Sequence, residues 1–532
     1  MMAKLRAALT LVRKPTDEEP EPLSAPELGQ RLRTQAATVA TMADDWATRD
    51  ADVSFKDFEK ALRELVFAFA RIAIMLFLAL REEHVMRSYP AQVEREVRRF
   101  RRAPAIARSL ATLFGVVRYA RTYMREIGRS GRHGFHPLDL SLGLIGDRFS
   151  WNVLTMAARL ATKLSFAEAR TTLASFVPNA PSTEVIEQAV LGLGRHTADW
   201  FEQVPAPEGD GDVLVIMFDS KGAPTATDSE LSRRRGKRRC RRLPASPRHR
   251  GRHRRRRYDK KPRRKKGDKS KNAKMATMVV MFTLKRHGNK LLGPINRKLY
   301  ASFAPKKHAF AIARRDAQKR GFGPDSDKLI QIVTDGDLDL AAYVTEYFPN
   351  AMHTIDVMHV IEKLWTAGEC LYPEGTKALR EWIDAQKDRL YAGNVDAIIA
   401  ELCQRRHAIA PTGPGNKGKR ERLFNVIRYL DKRVSKMPYD KLIKLDLELG
   451  SGAVEGAVKN IIGKRCDHGG MRWIKERVEA IVQLRCIEAN GDWDRFIEFV
   501  HDRMRADALR DGARLRLQSS TPAALPALLE AA

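Results

Sequence analysis

Hydrophobic positions follow two different periods along the chain. Over residues 52–202 apolar side chains recur every three or four positions, which predicts α-helices. The longest predicted helices cover residues 55–83 and 108–129. Residues 66–80, within the first of these, are the most apolar stretch; this stretch is too short to span a bilayer and therefore predicts a buried helix.

Two of the predicted helices are separated by a short break. Ser165 and Glu168 have the spacing of a capping box, and they predict a helix that reaches about residue 177. Pro178 and Pro181 interrupt the pattern, and a second helix is predicted over residues 182–193. The pair is either a helix-turn-helix DNA reader or an ordinary helical hairpin, and the sequence leaves both open.

From residue 213 onward the apolar runs shorten to strand length. Strands are predicted at residues 213–219, 275–284, 297–303, 329–334 and 352–355, and helices at 306–320 and 338–347. Residues 360–445 and 451–510 return to a helical period. This order is that of an α/β ribonuclease H-like catalytic core with an all-α insertion, preceded by an all-α N-terminal region.

Three acids occupy special places in this pattern. Asp219 and Asp335 each end a buried strand, and Glu455 follows a Gly-Ser-Gly break at the start of a helix. An acid at the carboxyl end of a buried strand lies at the rim of the sheet, where ligands bind. Since hard divalent cations prefer oxygen ligands, the three acids are expected to converge on a metal site.

Each of these acids has an alternative interpretation. Asp219 taken alone also fits a turn at the end of a strand. The rivals of the other two are nearby acids: Asp337 and Asp339 for Asp335, and Glu448 for Glu455. Because Asp335 follows the apolar run directly, the sequence favours it over residues that can cap the next helix. Ser451 is expected to cap the helix that carries Glu455.

Positive charge is concentrated in one segment of the chain. Lysine and arginine number 96 against 65 acidic residues, a formal net charge of +31. Residues 233–274 hold 24 basic and two acidic residues, so they contribute +22 and the remainder +9. Such an excess predicts a polyanionic partner. The segment can grip phosphates without sequence preference, or be a solvated loop without a specific partner, or be a targeting signal.

Several longer stretches carry a family resemblance. They are FDSKGAPTATDSEL (218–231), KSKNAKMATMVVMFTL (269–284), VTDGDLDL (333–340), DVMH (356–359), and GSGAVEGAVKNIIGKR (450–465) followed by GMRW (470–473). In this order and spacing the chain resembles bacterial insertion-sequence transposases of the DDE class. The similarity is greatest to the ISKra-like group and more distant to the Mutator-like transposases.

The resemblance implies a metal-binding catalytic triad of Asp219, Asp335 and Glu455. It implies Mg²⁺ or Mn²⁺ as cofactor, with two ions. Asp356, His359, Lys459, Arg465 and Trp473 are expected to support the site or to contact DNA. For His359, Lys459 and Trp473 the alternatives are a core histidine, a solvated helix charge and a core tryptophan. One Asp and one His alone would make a poor zinc site.

The resemblance and the composition together divide the chain into regions. These are a flexible leader (1–30), a helical region expected to bind DNA ends (31–205), the first part of the core (206–360) with its basic loop (229–274), the helical insertion (361–447), the last part of the core (448–510) and a flexible tail (511–532). The five cysteines have no paired spacing, and no signal peptide or membrane span is expected. We expect a cytoplasmic, nucleoid-associated bacterial protein.

The expected function is DNA transposition. Phosphodiester hydrolysis at element ends would be followed by transfer of the 3′-hydroxyl into target DNA, with a homo-oligomer in the DNA complex. The alternative is a protein of the same fold that only binds nucleic acid, or that cuts without joining.

The basic segment generates the first testable prediction. Deletion of residues 233–266 should weaken binding to all DNA sequences alike, because phosphate contacts carry no sequence information. The slope of log affinity against log salt concentration should fall by roughly 0.9 for each lost phosphate contact. Filter-binding titrations with element-end and random duplexes would measure both effects. Selective loss of end preference, with general binding intact, would instead make the segment a sequence reader.

Overall fold

The computed structural model describes residues 22–48, 54–95, 98–128, 134–144, 148–227, 273–467 and 471–511. These residues form two compact units, one within Met1–Gly192 and Arg495–Thr521 and the other within Leu193–Asp494. Nearly all of the predicted basic loop and tail, and most of the predicted leader, lie outside the described residues. The predicted end of the flexible leader at residue 30 is wrong, because helix α1 begins at Ala25.

The first unit combines two long helices, a small sheet and shorter helices. Its elements are α1 (Ala25–Ala47), α2 (Phe55–Arg87), β1 (Gln92–Arg95), β2 (Arg98–Thr112), β3 (Gly115–Glu126), β4 (Gly134–Phe135), α3 (Pro137–Leu142), α4 (Trp151–Lys163), α5 (Phe166–Ala174) and α6 (Thr183–Gly194). The four strands form one antiparallel sheet in the order β1-β2-β3-β4. The capping box of Ser165 and Glu168 is confirmed at the start of α5.

The prediction of an all-α N-terminal region is wrong at this sheet. Residues 108–112 and 115–126, predicted as part of a helix, lie in β2 and β3. Gly115, with φ of +116°, follows the turn between the two strands. Val117 and Tyr119 face the core while Arg118 and Ala120 face the other side, which is the two-residue period of a strand.

The apolar stretch 66–80 is helical but not buried as predicted. Within it only Leu78 is buried, while Val66, Phe77 and Leu80 are 40%, 54% and 50% exposed. Helix α2 packs against α1, β3 and α3, and these contacts leave several of its apolar side chains exposed. No helix in the described ranges is long and apolar enough to cross a membrane.

The second unit is built on a five-stranded sheet. Its first elements are α7 (Thr197–Gln203), β5 (Val213–Pro224), β6 (Ala273–His287), β7 (Lys290–Ser302), α8 (Lys306–Lys319), β8 (Leu329–Thr334), α9 (Leu338–Tyr347) and β9 (Met352–Ile355). The strand order is β7-β6-β5-β8-β9. Strands β5, β6 and β7 are antiparallel, and β8 and β9 run parallel to β5. The bounds predicted for β8, α9 and β9 are confirmed.

Helices make up the rest of the second unit. They are α10 (Val357–Leu371), α11 (Lys377–Tyr391), α12 (Val395–Ala408), α13 (Asn416–Asp431), a 3₁₀ turn (Val434–Lys436), α14 (Tyr439–Leu445), α15 (Gly452–Ala457), a π-helical turn (Val458–Gly463), α16 (Lys464–Cys466), α17 (Lys475–Ala489) and the start of α18 (Trp493–Asp511). The predicted insertion, residues 361–447, is therefore helical apart from short connections.

Strand β5 lies at the centre of the sheet and of the core. All its residues from Val213 to Phe218 are buried, so both faces of the sheet are covered here. Phe218 stacks on Phe310 of α8 with ring centroids 3.9 Å apart. The polar side chains that follow Phe218 therefore emerge at the edge of a packed apolar layer.

A buried carboxyl group fastens α17 to the end of β7. Glu479 accepts hydrogen bonds from Ser302 Oγ at 2.7 Å, Phe303 N at 2.7 Å and Gln483 Nε2 at 2.6 Å. Burial raises the pKa of Glu479 to about 7. The folded chain thus holds a proton on this group at pH values where the unfolded chain has already lost it.

This shift predicts a pH-dependent stability. With a pKa near 4.3 in the unfolded chain, the contribution of Glu479 is fully present below about pH 4 and is lost as pH rises through about 7. Glu479→Gln should therefore gain free energy of unfolding relative to the wild type between pH 5 and pH 8. Denaturant titrations at each pH measure this, with Glu476→Gln in the first turn of the same helix as control. A constant difference between wild type and Glu479→Gln would contradict it.

Candidate metal and catalytic site

Acidic residues gather at one edge of the sheet, where β8 and β9 end. Strand β5 runs on to Pro224, so the prediction that Asp219 ends its strand is wrong; the residue lies within β5, beyond the buried part of the strand. Parallel pairing of β5 with β8 runs to Met217 opposite Val333. Two residues further along the chain lie Asp219, within β5, and Asp335, directly after β8, at the same level of strands about 4.8 Å apart. On β9, Ile355 pairs with Thr334, so Asp356 follows directly at the same edge.

The charges of the neighbouring acids act on Asp219. Its side chain is half-buried, and Asp219 Oδ1 accepts a hydrogen bond from Ser220 N at 2.6 Å. Burial raises the pKa of Asp219, and the carboxylates of Asp335 and Glu455 raise it further; the Ser220 bond and His359 act in the opposite direction. Asp335 and Glu455 therefore both lie near enough to Asp219 for their charges to act on it.

The turn after β8 separates Asp335 from its rivals. Asp335 Oδ1 accepts a hydrogen bond from Asp337 N at 2.9 Å. Asp337 caps α9 by accepting from Asp339 N at 3.0 Å, and it pairs with Lys306 Nζ at 2.8 Å. Asp337 is thus engaged as a helix cap, as the sequence predicted for it, and Asp335 lies at the sheet edge.

A second group of ligand atoms adjoins Glu455. One atom each from Asp356, His359 and Glu455 lies within 4.8 Å of the others. Asp356 is fully buried, caps α10 through Met358 N at 2.8 Å, and holds His359 Nδ1 at 3.0 Å from Oδ2. The hydrogen bond to Asp356 raises the pKa of His359. Asp356 and His359 thus line the site, and Glu455 supplies the third ligand atom that the sequence alone did not assign to them.

Ser451 has a contact that sequence reasoning missed. It occupies the cap position of α15, but its side chain makes no cap hydrogen bond. Ser451 Oγ lies within hydrogen-bonding distance of Asp356 Oδ2 and 3.2 Å from Glu455 Oε1. Its single proton bonds one of them at a time, so Ser451 links the end of β9 to the helix that carries Glu455.

Glu448, the rival of Glu455, lies beside the middle of β8. Its backbone N–H donates to Gln331 Oε1 at 3.1 Å, and its carbonyl accepts from Gln331 Nε2 at 2.6 Å. Gln331 pairs with Val215, well before the strand end. Burial raises the pKa of Glu448, and the charged group that adds to this is Asp446. Its position therefore differs from that of the acids at the sheet edge.

Two of the predicted DNA-contacting residues are buried instead. Arg465 is 2% and Trp473 is 6% exposed, and the Arg465 guanidinium lies 4.7 Å from the Trp473 ring centroid. Trp473 Nε1 donates to Cys466 O at 3.0 Å, and Trp473 N donates to Pro224 O at 3.0 Å. The prediction of direct DNA contact is wrong for both; they attach the segment after Glu455 to the end of β5.

Lys459 and the nearby glycines remain accessible. Lys459 is exposed on the π-helical turn, one turn beyond Glu455. A side chain added at Gly452 or Gly456 would meet no atom within 4 Å. This surface next to the acids is open, which is compatible with a phosphate contact by Lys459.

In comparisons with known proteins, no family model matches the chain and no curated protein matches it.

The chemistry of the site follows from its donor set, which is dominated by carboxylate oxygens with one imidazole. Such a set suits hard divalent cations such as Mg²⁺ and Mn²⁺. A cation would also offset the repulsion between Asp219 and its acidic neighbours.

Proposed function

We propose that the chain is a DNA transposase of the DDE class, acting as a homo-oligomer on bacterial nucleoid DNA. The observation that carries the proposal is the meeting of Asp219, Asp335 and Glu455 at one edge of the sheet. Asp219 and Asp335 are half-buried and Glu455 is exposed beside them, an arrangement in which a divalent cation can reach all three carboxylates. The family resemblance supplies the reaction class, which is phosphodiester hydrolysis followed by strand transfer.

The strand order supports a ribonuclease H-like core for this proposal. Three antiparallel strands come first, and two further strands lie parallel to the first of them, separated by helices. The all-α segment before α15 is the expected insertion, and α15 carries the third acid. This order of elements supports the proposed fold for this part of the chain.

Asp219, Asp335 and Glu455 would hold Mg²⁺ or Mn²⁺, and His359 with Asp356 would support Glu455. When bound, such ions activate the attacking hydroxyl and stabilise the leaving oxygen. The chain itself orients the ligands: Ser220 N fixes Asp219, and Asp337 N fixes Asp335. Hydrolysis consumes one water, and strand transfer exchanges one phosphodiester bond for another, so neither step requires a redox partner.

A protein that only binds or only cuts DNA is the second candidate. Purified chain mixed with Mg²⁺ and labelled duplexes from the ends of its element would separate the possibilities. Cleavage with joining supports a transposase, cleavage alone supports a nuclease, and binding alone supports an inactive DNA-binding protein.

The triad predicts a matched set of variants. Asp219→Asn, Asp335→Asn and Glu455→Gln should retain DNA binding and lose Mg²⁺-dependent cleavage, because each keeps its size but removes a ligand charge. Glu448→Gln is the control and should remain active. Gel assays of cleavage and of binding measure the two properties separately. Cleavage that survived in Glu455→Gln but was lost in Glu448→Gln would reverse the assignment of the third acid.

The sheet of the first unit supports a DNA-binding role for residues 31–205. Arg101 of β2 and Arg125 of β3 are directly opposite, with Arg99 two residues before Arg101 on the same face. All three are exposed and make no side-chain hydrogen bond or ion pair to any residue that the structure describes. Like charges directly opposite in a sheet repel each other. A DNA backbone would neutralise them, so we propose this face as a DNA contact.

Removal of the opposing pair tests that contact. Arg101→Ala combined with Arg125→Ala should lower affinity for element-end DNA and reduce the salt slope by about 2, since each phosphate contact contributes roughly 0.9. Arg33→Ala combined with Arg170→Ala removes the same charge from two exposed helical positions and serves as control. Affinity measured across a salt series gives the answer. An equal loss in both double variants would show a general charge effect and not a contact.

A further inference from the structure

The turn that carries Asp335 is held by the helical insertion. Tyr429 Oη, on α13, donates a hydrogen bond to Asp335 O at 3.3 Å. Arg433, in the residues just after α13, donates from Nε to Gly336 O at 2.8 Å. Two successive backbone carbonyls at the end of β8 are therefore bonded to side chains almost a hundred residues later in the chain.

Tyr429 and Arg433 are fixed to each other as well as to the turn. The Arg433 guanidinium lies 4.1 Å from the centroid of the Tyr429 ring, and Arg433 Nη1 donates to Tyr429 O at 3.0 Å. Stacking and hydrogen bonding together restrict the arginine to one orientation. The pair therefore presents two donors at a defined spacing, and both donors bond the carbonyls of the turn.

Gly336 permits this close approach. It has a φ of +84°, and a Cβ at this position would lie 2.6 Å from Tyr429 Oη and 3.3 Å from Arg433 Nε. Both the backbone conformation and the space exclude a side chain. The turn is therefore built to receive the two donors.

The carboxylate of Asp335 is held from the opposite side. Its Oδ1 accepts from Asp337 N, and Asp337 is itself fixed as the cap of α9 and by Lys306. Asp335 thus has its carbonyl bonded to the insertion and its carboxylate bonded to the start of α9. Loss of either restraint would let the carboxylate rotate away from Asp219.

We propose that Tyr429 and Arg433 are positioning residues that set the Asp335 carboxylate for cation binding. The inference rests on the proposed function of the site. It makes the helical insertion a part of the catalytic centre, because two of its side chains decide where a metal ligand lies. Groups that orient a ligand from outside the coordination shell typically contribute 10- to 100-fold in metal affinity or activity.

Tyr429→Phe tests the inference with the smallest change, since it removes one hydroxyl and keeps the ring under Arg433. The full-length variant is expected to bind Mn²⁺ about 10-fold more weakly in water-proton relaxation titrations without DNA. Its cleavage should need a correspondingly higher Mg²⁺ concentration, while the melting temperature and metal-free DNA affinity stay unchanged. Arg433→Lys, which keeps the charge but loses the planar donor, should change both metal readouts in the same direction. Tyr391→Phe removes a hydroxyl from α11 of the insertion and should match the wild type.

The outcomes separate this inference from the function that it rests on. If the wild type cleaves DNA, and Tyr429→Phe has the same metal requirement and the same Mn²⁺ affinity, the positioning role is overturned while the proposed function stands. Mn²⁺ binding that is weakened in Tyr429→Phe, in a wild type that does not cleave DNA, would support the positioning role against the proposed activity. A wild type that neither cleaves nor binds Mn²⁺ would overturn both.

Discussion

Parallel pairing of β5 with β8 is the constraint on which the rest of the second unit depends. It places Asp219 and Asp335 side by side where the strands leave a fully buried apolar layer. Both carboxylates are half-buried there, and the charge of Asp335 adds to burial in raising the pKa of Asp219. The pairing of two hydrophobic strands thus brings two acids together. The surrounding elements either offset their negative charge or hold their side chains in place.

The first turns of two helices, and the helical insertion, hold the acids in place. Helices α9 and α10 begin directly after β8 and β9, with Asp337 and Asp356 as caps. The positive ends of both helices therefore lie near the acidic edge, where helix dipoles favour negative groups. The insertion approaches from another direction, through Tyr429 and Arg433. These two contacts couple the helical segment 361–447 to the acidic edge of the sheet.

Sequence predicted what is encoded locally and missed what is encoded by distant contacts. Strands β8 and β9 and helix α9 had their bounds predicted because short apolar runs end abruptly at polar residues. The hairpin of β2 and β3 was mistaken for a helix, since arginines and apolar residues there fit either period. Ser451 was assigned a cap, but its contact with Asp356 lies 95 residues away in the chain. For Trp473 the sequence leaves two roles open, a DNA contact and a core tryptophan. Its burial decides for the core.

Arginine illustrates why composition alone could not resolve the first unit. Arg108 and Arg121 point from the sheet into the core, where both pair with the buried Asp139. Removal of these charges from water is costly, and the shared carboxylate offsets that cost. Arg101 and Arg125, further along the same strands, are exposed to solvent. A net charge counts both kinds equally, yet only an exposed arginine is open to a polyanion. Arg121 and Arg125 lie four residues apart on β3 and therefore on the same face. What covers each end of the sheet, and not the number of arginines, therefore decides which of them stays exposed.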